Sequence, residues 1–166
     1  MAKITEKAFI RAYDELADDI FRFCAFRLYD RERALEVMQD TFTRTWVYIG
    51  AGNEIENLKA FLYKTARNLC TNEMVRSSSF SLDEMQEVAG YDPEDQVSET
   101  PEDVAEASVL MKHVAELDPR AQEVLTLRYM NGLAVKEIGE ILGEAPNTVS
   151  VRIHRAVEDL RKRMHA

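Results

Sequence analysis

The stretch GLAVKEIGEILGEAPNTVSVRIHR, from Gly132 to Arg155, is the part of the sequence that decides the fold. Its spacing predicts a short helix, a turn at Gly143 and a longer basic helix that begins at Pro146. Ile138 of the first helix and Val149 of the second belong to apolar faces that pack together. These features predict a helix-turn-helix whose second helix enters the major groove of DNA. The side chains expected nearest the groove are Asn147, Thr148, Ser150, Val151, Arg152 and Arg155.

The same pattern also fits an ordinary helical hairpin with a solvated basic face. Ala134 and Ala145 favour that alternative slightly, since they stand where a Ser or Thr would cap each helix, and losing such a cap costs about 1 kcal/mol. Gly139 is expected to leave room where the two helices cross, because it has no side chain.

Two further helix starts precede the motif. Thr100 with Pro101, and then Asp118 with Pro119, each place an N-cap before a proline at the first helical position. The first of these helices is predicted to bury a stripe made of Val104, Ala107, Met111 and Val114. The second is predicted to run to about Met130, where Asn131-Gly132 ends it.

The N-terminal part of the chain also has helical periodicity, and no segment has sustained strand alternation. Three helices are predicted. The first covers roughly Glu6 to Leu28, the second follows the cap Asp30 and ends near Gly50 and Gly52, and the third follows the cap Asn57 and runs from Leu58 to about Arg76. The second is expected to bury a row spaced by four residues: Ala34, Met38, Phe42 and Trp46. The predicted fold class is therefore all-α, with two small helical domains.

Two polar surfaces remain on the N-terminal helices after the core is assigned. One is a strip on the second helix, made of Glu36, Gln39, Asp40, Thr43 and Arg44. The other is a basic and amide-rich face on the third helix, made of Lys59, Tyr63, Lys64, Arg67, Asn68, Asn72 and Arg76. Basic residues interleaved with aromatic rings suit single-stranded or unwound nucleic acid, because bases stack on rings. The Gly-rich loop from Tyr48 to Glu56 is expected to form a pocket for an extruded base.

The net charge of −9 argues against nucleic-acid binding, but the distribution of charge does not. Ten of the 30 acidic residues, and none of the Lys and Arg, lie between Ser77 and Met111, so the rest of the chain carries 21 basic and 20 acidic residues. Because Gly90 and Pro93 interrupt any helical period, residues 77–100 are predicted to be an acidic flexible linker. A nucleic-acid mimic that enters a basic channel of a partner is the alternative.

Other functional classes find little support. No stretch approaches the roughly 20 apolar residues of a membrane span, and the first residues do not read as a signal peptide. Cys24 and Cys70 fall beside apolar stripes and are expected in the core, in a reducing, cytoplasmic setting. There is no nucleophile–base pairing and no metal-ligand spacing, so we expect no catalytic residue, no metal and no cofactor.

Four segments resemble a known family. They are DRERALEVMQDTFTRTW from Asp30, LKAFLYKTARNL from Leu58, LDPRAQEVLTLRYMNGLAVKEIGEILG from Leu117, and NTVSVRIHRAVEDLR from Asn147. In this order and spacing they resemble a small sigma factor of bacterial RNA polymerase, of the extracytoplasmic-function type within the sigma-70 family. The resemblance covers nearly the whole chain.

The resemblance implies a role for each surface. Residues 1–76 would dock on core polymerase and recognise and melt the minus-ten element, and residues 101–166 would read the minus-thirty-five element. The strip on the second helix would meet the β′ clamp, and Lys64, Arg67, Asn68 and Asn72 would contact minus-ten DNA. Ser150 stands where Lys or Arg is common and Asn72 where Asp is common, which predicts weak DNA binding by the free protein.

The implied partners are core RNA polymerase (β′ clamp and β flap), promoter DNA and an anti-sigma protein, with the free protein a monomer. The main alternative is a stand-alone regulator with a LuxR-like helix-turn-helix, which leaves residues 1–76 unexplained. An adaptor that binds polymerase without reading DNA is a second alternative. An enzyme is the third, and the least supported of the three.

Overall fold

The computed structural model describes residues 3–76 and 100–166, and within these ranges all regular structure is helical. The prediction of an all-α fold is confirmed. The helices are α1 Glu6–Leu28, α2 Arg31–Gly50, α3 Leu58–Arg76, α4 Pro101–Ala115, α5 Pro119–Leu125, a π-helical turn Thr126–Met130, α6 Val135–Leu142 and α7 Pro146–Met164. The predicted linker lies, except for Thr100, outside the described residues. No helix in the described ranges has the length and apolarity that crossing a membrane requires.

Side-chain caps mark the starts of the three N-terminal helices. The Thr5 hydroxyl accepts the backbone N–H of Ala8 at 3.1 Å, and the Asp30 carboxylate accepts that of Arg33 at 3.1 Å. The side-chain carbonyl of Asn57 accepts the N–H of Ala60 at 3.1 Å, as its predicted role at the start of α3 requires. These acceptors satisfy backbone donors that the first helical turn leaves unpaired.

The three N-terminal helices bury a shared apolar core that includes Ile20, Phe23 and Leu62. The prediction that Trp46 belongs to this core is wrong, because its side chain is 40% exposed. It lies at the far end of the α1–α2 pair, where its ring packs on Phe9 with centroids 4.9 Å apart. Near the start of α1 there is too little chain to cover the rest of the indole.

Helix α4 begins as predicted but does not bury the predicted stripe. Thr100 and Asp103 form a reciprocal capping box, in which each side chain accepts the other's backbone N–H at 3.2 Å. No residue of α4 is fully buried, and Val104 and Ala107 are exposed. The helix packs through its C-terminal half, where Met111 and Val114 are partly covered, so its first turns lie beyond the core.

The predicted helix from Pro119 to Met130 is present, with a change of winding in its last turn. The N–H of Asn131 donates to the carbonyl of Thr126 at 3.0 Å, five residues back, which makes Thr126–Met130 a π-helical turn. Gly132 follows with φ of +67° and ends it, as the sequence predicted. Single π-helical turns are frequent at functional sites, and this one carries Asn131 to the surface of α1.

The predicted helix-turn-helix is formed by α6 and α7. Ile138, Val149 and Ile153 are buried between the helices, and Gly143 makes the turn with φ of +69°. Gly139 is needed for the turn rather than for the helix crossing, since a Cβ there would lie 2.7 Å from the carbonyl oxygen of Glu144. Neither Ala134 nor Ala145 caps its helix with a side chain.

The N-terminal block (3–76) and the C-terminal block (100–166) pack against each other. One apolar cluster joins Phe23 and Leu62 of the first block to Leu127 and Leu133 of the second. The Asn131 side-chain amide donates to the carbonyl of Asp19 at 2.8 Å. The sequence predicts two helical domains and leaves their relative orientation open, and the structure brings the two blocks into contact along α1 and α3.

Candidate nucleic-acid interface

The seven predicted residues of α3 fall on two different faces of the helix. Steps of four residues place one row on the outside, and all four of its side chains are exposed: Lys64, Asn68, Asn72 and Arg76. A second row, also spaced by four, is buried or partly buried: Lys59, Tyr63 and Arg67. The outer row alone is open to a ligand in this arrangement.

The charges of the second row are paired with carboxylates of the C-terminal block. Lys59 Nζ lies 2.8 Å from Glu137 Oε2, and Arg67 Nε lies 2.9 Å from Glu123 Oε2. The hydrogen bond from Lys59, followed by that from the Ala134 N–H, lowers the pKa of Glu137 below its usual value of 4.5. Beside them, Asn57 Nδ2 donates to Glu140 Oε2 at 2.6 Å.

Tyr63 does not lie outward among the basic residues as the sequence predicted. Its side chain is 0% exposed, and its ring packs edge-on against Phe23 with centroids 6.0 Å apart. Burial, and then the charge of Asp19, raise the pKa of the Tyr63 hydroxyl. The ring belongs to the core because its position on α3 turns it toward α1, so it is not available for base stacking here.

The loop between α2 and α3 borders a pocket, at the place where the sequence predicts one for an extruded base. The pocket has a volume of about 820 Å³ and is lined by Tyr48, Ile55, Phe61 and Lys64 among others. The Tyr48 and Phe61 rings stack with centroids 4.9 Å apart and planes 30° apart, which builds an aromatic wall. Glu140 of α6 lies at the edge of this pocket. An aromatic wall with a lysine beside it suits a base and its phosphate.

The polar strip of α2 is available to a partner. Glu36, Gln39, Thr43 and Arg44 are exposed and Asp40 is partly exposed. Arg44 Nε and Asp40 Oδ2 form an ion pair of 3.0 Å along the strip. The strip continues into exposed apolar side chains, since Trp46 is 40% and Val47 65% exposed. A polar strip beside an exposed apolar patch has the composition of a protein interface.

The outer face of α7 presents most of its predicted residues. The exposed ones are Asn147, Thr148, Ser150, Val151 and Arg155. Arg152 is held against the turn, where its Nη2 lies 2.7 Å from Glu144 Oε1. A groove of about 510 Å³ runs between this face and the start of α5, where Arg120 lines it.

Sequence reasoning missed four residues of these surfaces. Arg120 is a single basic residue at the start of α5. The one sequence signal that could have identified it is its position beside a helix N-terminus. Glu123, Glu137 and Glu140 read as solvated charges, because nothing local indicates the α3 side chains that they meet. Such contacts depend on how the two blocks pack.

The two cysteines lie in the core, as predicted. Both are free and buried. The hydrogen bond with Cys70, together with burial, raises the pKa of the Cys24 thiol. Within residues 3–76 and 100–166, no cluster of His, Cys, Asp and Glu is grouped to hold a metal ion.

Comparisons with known proteins match both blocks. The family model "Sigma-70 region 2" matches residues 12–80, and "Sigma-70, region 4" matches residues 109–160. The sigma factor SigL of Mycobacterium tuberculosis is 30% identical over 167 residues, which cover 96% of this chain and 91% of SigL. The sigma factor BldN of Streptomyces coelicolor is 31% identical over 160 residues, which cover 92% of this chain and 59% of BldN.

A solved structure has a similar fold. It is the sigma factor RpoE of Bartonella quintana in complex with the anti-sigma factor NepR, with a TM-score of 0.70 and 20% identity. The likeness covers 96% of this chain and 98% of that one. At this identity the likeness speaks for the fold alone.

Proposed function

The chain belongs to the sigma-70 family, in its extracytoplasmic-function group, and from that premise we propose how its surfaces divide the work of a sigma factor. α2 docks on core RNA polymerase, the outer row of α3 with the adjoining pocket reads and melts the minus-ten element, and α7 reads the minus-thirty-five element. The stand-alone LuxR-like alternative is not favoured, because a family match extends over the N-terminal block as well.

The exposed strip of α2 carries the docking proposal. Its polar side chains are not used by the packing of the described residues, whereas Thr41 and Thr45 on the same helix are buried and donate to backbone carbonyls at 2.7 and 2.8 Å. The β′ clamp is the proposed partner surface, and the β flap is proposed to receive the C-terminal block. The exposed Trp46 and Val47 supply the apolar part of such an interface.

Asp40→Arg tests docking. We expect loss of co-purification with core polymerase, because the substitution reverses a charge at the centre of the strip and breaks the pair with Arg44. Asp14→Arg makes the same charge change at an exposed site on α1 and serves as the matched control. Equal recovery of the two variants with core polymerase would reject the docking surface.

The pocket beside α3 carries the minus-ten proposal. The aromatic wall of Tyr48 and Phe61 offers a base a flat partner, and Lys64 lies where the backbone of an extruded nucleotide would pass. Asn68 and Asn72 supply donors and acceptors farther along the same row. Base stacking on an aromatic ring contributes about 1–3 kcal/mol, so stacking on a single ring would stabilise an extruded base and favour separation of the DNA strands.

Arg155→Ala tests the proposed reading by α7. We expect promoter-directed transcription to fall by an amount equivalent to about 1–3 kcal/mol, the usual value of a lost base contact. Arg161→Ala removes an exposed cation from the C-terminal end of the same helix and is the control. Run-off transcription with purified core polymerase on a pool of promoters measures both. Full activity of Arg155→Ala would show that this side chain does not read the promoter.

Further partners follow from the same proposal. We propose that the protein is not itself an enzyme and that the polymerase catalyses RNA synthesis. We also propose that the protein acts in the cytoplasm, bound to the polymerase. The similar RpoE fold was solved with an anti-sigma factor, and we propose that a protein of that class restrains this one as well. The acidic segment of residues 77–99 is proposed to connect the two readers on the enzyme, and the free protein is proposed to be a monomer.

A further inference from the structure

We propose that Glu144 is a positioning residue for the minus-thirty-five reader, and that it acts by holding Arg152 in place for contact with a base. The inference rests on the proposed function of α7 and concerns the specificity of that same helix. Glu144 lies in the turn between α6 and α7, outside the face that the sequence predicts to read DNA. It contributes to recognition without touching DNA itself.

The carboxylate of Glu144 forms an ion pair with Arg152, which lies eight positions farther along the chain. Arg152 Nη2 lies 2.7 Å from Glu144 Oε1, and the two side chains are 23% and 27% exposed, respectively. The pair is therefore partly sheltered from water, which strengthens it relative to ion pairs on the open surface. The other oxygen, Oε2, is buried and accepts no hydrogen bond from residues 3–76 or 100–166. Because one oxygen is taken and the other is covered, Glu144 has no free acceptor for a base edge.

The turn holds this carboxylate at a fixed place. The N–H of Glu144 donates to the carbonyl of Gly139 at 2.9 Å, and Gly143 has the left-handed conformation, with φ of +69°. The carbonyl oxygen of Glu144 lies so close to Gly139 that a Cβ there would be 2.7 Å away. An arginine paired to this turn has fewer conformations than one that extends freely into solvent. It therefore loses less conformational entropy when it binds DNA.

Arg152 remains on the DNA-facing side of α7 while it is paired. It lines the groove of about 510 Å³ together with Thr148 and Arg155, which lie one helical turn away on either side. Its guanidinium carries more donors than one carboxylate oxygen can accept, so donors remain for a base edge. Paired donors of this kind match the acceptors O6 and N7 that guanine presents in the major groove. The ion pair thus orients Arg152 and does not withdraw it from the groove.

An arginine held in this way discriminates between bases better than a free one. A free side chain can turn toward a neighbouring phosphate, and a phosphate contact carries no sequence information. Removing Glu144 also removes a negative charge close to the DNA, which by itself favours non-specific binding. Loss of Glu144 should therefore lower the preference for one base without weakening binding to unrelated sequences. A turn that merely lost stability would weaken binding to all sequences alike.

The test uses full-length variants assembled with core RNA polymerase. Glu144→Ala, Arg152→Ala and the double variant form a cycle, and Glu158→Ala, at an exposed carboxylate of α7, is the matched control. Run-off transcription is performed on promoters with randomised minus-thirty-five positions, each of which carries a transcribed barcode. Sequencing of the transcripts measures the preference for each base. This preference is a ratio within one pool, so a partly unfolded variant gives less transcript without changing it.

We expect Arg152→Ala to lose a preference of about tenfold for one base at one position. Glu144→Ala should lower that same preference about threefold, because Arg152 must then be ordered by the DNA alone. The double variant should match Arg152→Ala, and Glu158→Ala should match the wild type. An unchanged preference in Arg152→Ala or in Glu144→Ala overturns the proposal. So does a sharper preference in Glu144→Ala, or a further loss in the double variant.

NMR of the free chain measures the anchoring without polymerase. The Nη groups of Arg152 should rotate more slowly in the wild type than in Glu144→Ala, and equal rotation overturns the proposal. A wild type that directs no transcription from any promoter of the pool rejects the proposed function, and the inference that rests on it as well. A wild type that is active, with the same base preference in Glu144→Ala, rejects the role of Glu144 alone.

Discussion

Gly139 shows how one missing Cβ sets the geometry of the helix-turn-helix. Ala is normally a better helix residue than Gly by about 1 kcal/mol, yet a Cβ at this position would lie 2.7 Å from a backbone oxygen of the turn. Backbone cannot move aside cheaply, so we expect Gly139→Ala to lower the free energy of unfolding by about 1–3 kcal/mol. Urea denaturation measures it.

Gly50 is the matched control for that substitution. It is the last residue of α2, and a Cβ there meets nothing within 4 Å. Gly50→Ala is expected to stay within about 0.5 kcal/mol of the wild type or to exceed it. If both variants lost the same stability, the crowding at Gly139 would not be the cause.

The Cys24 thiol makes a second prediction at this scale. Its pKa is raised by the hydrogen bond with Cys70 and by burial, and the reactive thiolate is therefore scarce at neutral pH. We expect iodoacetamide to leave Cys24 unmodified in the native chain and to alkylate it once the chain is unfolded in urea. Mass spectrometry after a timed pulse measures the labelling. Rapid native labelling of Cys24 would contradict the buried pair.

Among the elements, α3 shows where sequence reasoning works and where it stops. Its bounds and its cap Asn57 follow from local signals, and the structure has both as predicted. The sequence predicts one surface for the seven polar candidates on α3, because a row of polar residues spaced by four looks solvated from sequence alone. The partner of Arg67 is 56 positions away and that of Asn57 is 83 positions away, and no local pattern encodes such distances.

The N-terminus of α7 has no side-chain cap, and this gives a prediction about stability. Ala145 has the extended backbone of an N-cap, with φ of −65° and ψ of 146°, but no side chain that accepts a hydrogen bond. Ala145→Ser supplies that acceptor, and we expect thermal or urea unfolding to report a gain of about 1 kcal/mol. Ala107→Ser, at an exposed site inside α4, should give no gain. A gain no larger than in that control would show that the first turn of α7 is already satisfied.

Helix α6 begins differently, because Glu137 serves both its cap and Lys59. Because folding lowers the pKa of Glu137, its charged carboxylate stabilises the folded state at pH values above 4.5, the ordinary pKa of a Glu side chain. This stabilisation is lost as the pH falls below 4.5 and through the lowered pKa of the folded state. Glu137→Gln is therefore expected to be less stable than the wild type at neutral pH, by less than about 1 kcal/mol. The two unfolding curves should converge in acid, and a constant difference from neutral to acid pH would contradict the role of the charge.

At the scale of the whole molecule, the decisive question is whether the two blocks behave as one folding unit. Sequence patterns predict the helices of both blocks but leave their relative orientation open, because no local pattern indicates contacts between the blocks. Leu127 and Leu133 share an apolar cluster with Phe23, and Arg67 pairs with a carboxylate that is nearly inaccessible to solvent. Blocks packed in this way should couple energetically, whereas tethered independent blocks should not.

A double-mutant cycle on Arg67 and Glu123 measures that coupling. Arg67→Met leaves the Glu123 carboxylate buried without its cation, which is costly, and Glu123→Gln relieves that cost. We therefore expect the double variant to be more stable than the two single losses predict, with a coupling of about 1 kcal/mol in urea unfolding. Arg67→Met with Glu158→Gln, an exposed carboxylate of α7, should be additive within about 0.5 kcal/mol. Additivity in the Arg67–Glu123 cycle as well would mean that the blocks separate in solution, and the stability of each would then have to come from its own core.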